Sequence, residues 1–120
     1  MEEILSQAQR LGKLIAQHPR TQAMQQATAA ARGDTDAQQL LNDHRRQAEH
    51  VRRLENEGTP VEVADKHKLA DLEAKVAANP LIMKLMKAQA DYVELMQSVN
   101  SAIGSQLGPD TPTASPQQQP

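Results

Sequence analysis

The residue types that most often carry chemistry are scattered in this chain. The four histidines are His18, His44, His50 and His67. No two are spaced i,i+4, and none sits in an HExxH or ExxH arrangement, so no helix face presents paired metal ligands. Asp34-x-Asp36 lacks the glycine and closing glutamate of a calcium loop. There is no GxGxxG, Walker A or GxSxG sequence to cradle a phosphate or expose a nucleophile. A di-metal site in a helical bundle needs several inward Glu and His residues, and the inward positions here are mostly aliphatic. Cysteine is absent. The chain alone therefore builds no disulfide, zinc–thiolate site, iron–sulfur cluster or thiol nucleophile. The expectation is a protein that is not an enzyme, with no catalytic, cofactor-binding or metal residues and no cofactor.

The densest cluster of charge is Arg45, Arg46, Arg52 and Arg53, with His44 and His50 among them. Arg46, His50 and Arg53 share a helical face and form the candidate RNA-facing patch. Asp43, Glu49, Glu55 and Glu57 neutralise the same stretch. Arg45–Glu49 and Glu49–Arg53 have the i,i+4 spacing of helical ion pairs. A solvated or subunit-contacting face is preferred here. An RNA-associated accessory protein working through this face is the alternative. The net charge of −2 argues against binding nucleic acid by bulk charge. Aromatics at 1% also leave no stacking platforms for bases.

Five helices position these residues. The first spans 2–17, with Ile4, Ala8, Leu11 and Ile15 in one stripe and Leu5 and Leu14 beside it. His18-Pro19 ends it, because the residue before proline avoids the α region. Gly12 points to close helix approach. The second spans 19–32, where Ala23, Ala27, Ala30 and Ala31 form a small-residue face and Gly33 is its C′ residue. The third starts at Asp34-Thr35-Asp36 and runs to Glu57, with Ala37, Leu40, Leu41, His44, Ala48, Val51 and Leu54 inward. His44 reads as a packed histidine with one hydrogen bond. Thr59-Pro60-Val61-Glu62 reads as a capping box opening a fourth helix to Ala78. No strand is expected, since no window alternates with β-branched residues.

The longest helix covers 79–107. Asn79 is its N-cap and Pro80 its first residue. One stripe reads Leu81, Leu85, Ala88, Tyr92, Leu95, Val99 and Ala102. A second reads Ile82, Met86, Gln89, Val93, Met96, Asn100 and Ile103. Two adjacent apolar stripes are too wide for one partner helix, so this helix is expected to pack on its own chain and on another subunit. The candidate interface residues are Leu81, Leu85, Met86, Tyr92, Val93, Leu95, Met96, Val99, Asn100 and Ile103. Hydrophobic content of 38%, much of it alanine, implies a thin core and favours assembly. The fold class is all-α: a five-helix antiparallel bundle with a long C-terminal helix, oligomeric. Residues 1–107 form one helical domain, and the Pro/Gln-rich 108–120 reads as a disordered tail. There is no h-region and no apolar run near the ~20 residues of a membrane span, so the expected setting is cytoplasmic.

The chain resembles the YlbF/YmcA family of small helical bacterial proteins, which includes YheA-type members. The resemblance is carried by Leu11-Gly12-x-x-Ile15, Asp36-Ala37-x-x-Leu40-Leu41, Gln47, Gly58, Asn79-Pro80-Leu81-Ile82, Val99 and Ile103, and covers about residues 2–107. It implies a homo-oligomer, most often a dimer, and a non-enzymatic regulatory role. The implied partners are a copy of itself, other YlbF/YmcA-family proteins and a YaaT-like protein. The implied processes are RNase Y-dependent mRNA processing, competence, sporulation and biofilm formation. Iron–sulfur clusters are associated with that complex, and this cysteine-free chain departs from the pattern there.

Overall fold

The computed structural model describes residues 1–112 and is all-α, with five helices and, among those residues, no strand. The helices are α1 (Glu2–Gln17), α2 (Pro19–Arg32), α3 (Thr35–Asn56), α4 (Val63–Ala78) and α5 (Pro80–Ser105). Local chemistry sets most boundaries. The Asp34 carboxylate accepts from the Ala37 amide at 2.9 Å and opens α3. The imidazole Nδ1 of His18 accepts from the Arg20 amide at 3.1 Å, so the histidine that closes α1 also caps α2. Asn79 works in both directions. Its amide donates to Val76 at the end of α4, while its Oδ1 accepts from the Ile82 amide at 3.1 Å at the start of α5.

The capping box expected at residues 59–62 does not form. α4 begins at Val63, and its N-cap, Glu62, makes no side-chain cap bond. Gly58 takes φ +70° beyond the end of α3. Its amide then donates to Glu55 O at 3.2 Å, and that of Thr59 donates to Leu54 O at 2.9 Å. This is a Schellman closure. It consumes the Thr59 amide that Glu62 was to reach.

Other expectations are corrected too. Gly33 ends α2 without a positive φ. A Cβ at Gly12 would meet nothing within 4 Å, so that glycine makes no close helix contact within the chain. Only Ala27 and Ala31 of the alanine face are buried, while Ala23 and Ala30 are exposed. The Arg45–Glu49 and Glu49–Arg53 pairs are not formed among the described residues, and Arg45 donates instead to Asn42 Oδ1 at 3.2 Å.

The described chain divides into two compact units, residues 25–86 and residues 1–24 with 87–112. The first holds the core. Ala37, Val76 and Ile82 are buried together, with Leu40 and Leu41 packed against them. Ile82 is the one large side chain fully enclosed among the described residues. Within this unit α3 and α4 run antiparallel. Gln47 is buried and donates through Nε2 to the Asp65 carbonyl at 3.0 Å, and His50 Nε2 lies 3.5 Å from Asp65 Oδ2.

The second unit is different. Its only buried residues, among those described, are Thr21 and Ala88. Arg20 ties the start of α2 to α5 by donating to the Asp91 carbonyl at 3.3 Å, with Glu94 at 3.8 Å. Residues 108–112 form a turn, with Gly108 at φ +93° and the Thr111 hydroxyl donating to Leu107 O. Of the tail read as disordered, 113–120 lie outside the described residues.

Candidate interaction surface

The two stripes of α5 have different fates. In the first, Leu81, Leu85, Tyr92, Leu95 and Val99 are half-buried and Ala88 is buried. In the second, Ile82 is buried, Met96 and Asn100 are half-buried, and Met86, Val93 and Ile103 are exposed. Val93 keeps 38% of its surface in water and Ile103 47%. Beyond Ile82, the second stripe is covered only in part by its own chain.

The first helix carries large apolar side chains that are individually more exposed than any candidate named on α5. Ile4, Leu5 and Leu14 are exposed at 70%, 53% and 62%. Leu11 and Ile15 are half-buried, and no residue of α1 is buried. The four-three-four spacing of Ile4, Ala8, Leu11 and Ile15 was visible in the sequence. That the chain leaves Ile4 uncovered while half-burying Leu11 and Ile15 was not. Large apolar side chains left in water on one continuous face mark a protein-binding surface more often than not.

The charged candidates are not brought into one site. Arg46 and His50 line a cleft of about 400 Å³ between α3 and α4, with Asp43, Gln47, Lys68 and Leu72. Arg53 lines a separate cleft with Glu49, Arg52, Asn56 and Glu57. Each cleft mixes both signs of charge, and His50 faces a carboxylate, so neither forms a continuous cationic track for a phosphate backbone. His44 is half-buried beside Arg45, Ala48, Glu49 and Arg52, and makes no hydrogen bond among the described residues, contrary to expectation. His67 is exposed. No group of three or more His, Asp or Glu residues that could hold a metal ion occurs among the described residues. No helix among them is long and apolar enough to cross a membrane.

Residues 4–108 match the model of a family described as control of competence regulator ComK, YlbF/YmcA. The chain is 24% identical over 108 residues to the UPF0342 protein DSY1594 of Desulfitobacterium hafniense (strain Y51), covering 90% of this chain and 82% of that protein. Among solved structures it is similar to Bacillus subtilis RicA, crystallised in complex with RicF. The TM-score is 0.76 at 15% identity, over 88% of this chain and 93% of RicA. That likeness establishes the fold.

Proposed function

The chain belongs to the YlbF/YmcA family, and from that premise we propose that it is a non-enzymatic cytoplasmic regulator that works by binding other proteins. One observation carries the reading. The unit of residues 1–24 and 87–112 has almost no interior of its own, yet displays Ile4, Leu5, Leu14, Val93 and Ile103 to water. Each large apolar side chain moved from water to a contact contributes about 1.5–3 kcal/mol. A surface of this kind favours a chain that covers it. That RicA is held in complex with RicF supports a partner-binding role. The family description supports a regulatory one.

The partners are helical proteins with a matching apolar face: a copy of this chain, relatives of the family, or a YaaT-like protein. The candidate interface is the exposed side of α5 with its half-buried neighbours Tyr92, Leu95, Met96, Val99 and Asn100. The processes that the family resemblance implies, RNase Y-dependent mRNA processing and the developmental programmes downstream of it, are the reading's finer form. Nothing in the mixed charge around Arg46, His50 and Arg53 favours the RNA-binding alternative.

The test is solution mass by light scattering over a concentration series, for the wild type and for Ile103→Asp, a substitution that leaves the enclosed core alone. The reading expects self-association, or a complex with a purified family relative, that Ile103→Asp weakens. A chain that stays monomeric, binds no relative and behaves identically with Asp at 103 would overturn it.

A further inference from the structure

The cleft between α3 and α4 carries an inference that rests on the protein-binding reading and adds to it a surface of different chemistry. We infer that this cleft takes a glutamate side chain from an acidic segment of a partner protein, its carboxylate held between Arg46 and Lys68.

The cleft has a volume of about 400 Å³ and is lined by Asp43, Arg46, Gln47 and His50 of α3 and by Lys68 and Leu72 of α4. That is the low end of the ~300–1,000 Å³ of ligand pockets, room for a side chain and its neighbours rather than for a folded element. Gln47 and Leu72 are its two buried members and make its floor. Gln47 is fixed by its bond to the Asp65 carbonyl at 3.0 Å, so the floor is set before anything arrives. Arg46 and Lys68 are exposed and stand on different helices.

The charge of these two cations is unmet within the chain. Neither makes an ion pair among the described residues. The acids within one helical turn of them are engaged elsewhere. Asp43 accepts from Gln39 at 2.9 Å, Asp65 faces His50 at 3.5 Å, and Asp71 pairs with Lys75 at 3.0 Å. Glu49 is the exception, and it lines the two neighbouring clefts beside Arg52 rather than this one. An acceptor for Arg46 and Lys68 therefore has to come from outside.

A carboxylate suits the cleft better than a phosphate backbone does. Asp43 lines the same cleft, and its charge opposes a run of phosphates. Arg46 offers a planar fork of donors that matches a carboxylate, and Lys68 adds a mobile ammonium. The exposed edge of Leu72 gives the methylenes of a glutamate an apolar surface, which an inorganic anion leaves unused. The candidate interface on α5 is mainly apolar, so the two surfaces select partners in different ways.

The experiment is fluorescence polarisation of a fluorescein-labelled peptide in which glutamates flank a leucine. It is titrated with full-length protein at low salt, up to about 1 mM. The same peptide with glutamine for glutamate, and a single-stranded RNA oligomer of equal charge, are the comparison probes. The expected result is binding of the glutamate peptide alone. Arg46→Gln and Lys68→Gln should each weaken it about tenfold, the loss of one charge-assisted bond. Both positions are exposed, and circular dichroism checks that the variants stay folded. Arg46→Glu with Lys68→Glu should reverse the preference, toward the same peptide carrying lysines. Arg45→Gln with Arg52→Gln removes equal charge from α3 outside this cleft and should change binding by less than about twofold.

Equal losses for the two pairs of neutralised positions mean attraction by bulk charge and overturn the inference. So does a glutamine peptide bound as tightly, an RNA oligomer bound more tightly than the glutamate peptide, or no binding at the highest concentration. None of these outcomes bears on the α5 interface, which is tested by solution mass and Ile103→Asp. Peptide binding as expected, with Ile103→Asp indistinguishable from the wild type in mass, would keep this cleft and remove the α5 interface.

Discussion

Two isoleucines on the same stripe of α5 should respond to the same substitution very differently. Ile82 is fully enclosed against Ala37 and Val76, while Ile103, three heptads on, is 47% exposed. Ile82→Ala removes three carbons from a filled space. At about 0.8 kcal/mol per carbon the transfer loss is about 2.4 kcal/mol. A residual cavity of about 50 Å³ adds about 1.2 kcal/mol. The expected cost is about 3.5 kcal/mol, a large part of the 5–15 kcal/mol that a domain usually has. Ile103→Ala removes the same carbons from a site already half in water and leaves no closed cavity, so about 1 kcal/mol is expected. The assay is urea unfolding followed by circular dichroism, with the midpoint read at unchanged slope. Protein concentration is held fixed, because any assembly shifts the apparent midpoint. Ile82→Val serves as the graded control, at about 1 kcal/mol. Equal midpoint shifts for the two alanine variants would refute the division of the stripe into a covered and an uncovered part.

Further outcomes follow from single contacts. Gln47→Ala removes the side-chain bond to the Asp65 carbonyl, which keeps its place in the α4 ladder, and should cost about 0.5–1.5 kcal/mol in the same unfolding assay; no loss would mean that solvent replaces the bond. The Thr21 hydroxyl is enclosed with no hydrogen-bond partner among the described residues. Thr21→Val should therefore be neutral or stabilising by up to about 1 kcal/mol, and a clear destabilisation would show that the hydroxyl is in use. Gly58→Ala forces an alanine into a positive φ and should cost about 1 kcal/mol or more, with the melting temperature as readout. Arg46→Ala with Arg53→Ala should leave any RNA affinity at low salt unchanged, whereas a salt-dependent affinity that disappears in the double variant would restore the RNA-binding alternative.

Helix ends were the most legible part of the sequence, for a physical reason. Asp34, Asn79 and the His18-Pro19 pair act on amides within three residues of themselves, so nothing distant can overrule them. The capping box at Thr59 failed because the amide it needed was contested by the helix before it, and two local rules cannot share one donor. Gln47 was harder to place. A buried glutamine in a helix of Arg, Glu and Gln looks like its neighbours until the carbonyl it reaches, 18 residues on, is known. On α5 both stripes are apolar, so composition could not say which one the chain itself covers. The same limit hid α1. Its periodicity predicts a face, but whether a face is covered depends on the rest of the chain.

The unbroken run of α5 from Pro80 to Ser105 has a consequence for recognition. Starting a helix is the unfavourable step, and extending one is cheap. The start of α5 is held by the Asn79 cap and by Ile82 in the packed interior. Turns that could not nucleate themselves are then propagated from that anchored end. Val93 and Ile103, residues of the proposed interface, thus lie on a rod already formed. Little ordering entropy is left to oppose association, in contrast to a segment that must fold as it binds. Damage at Ile82 should therefore weaken binding through the proposed face at a distance, by letting the far turns fray, with none of its residues altered.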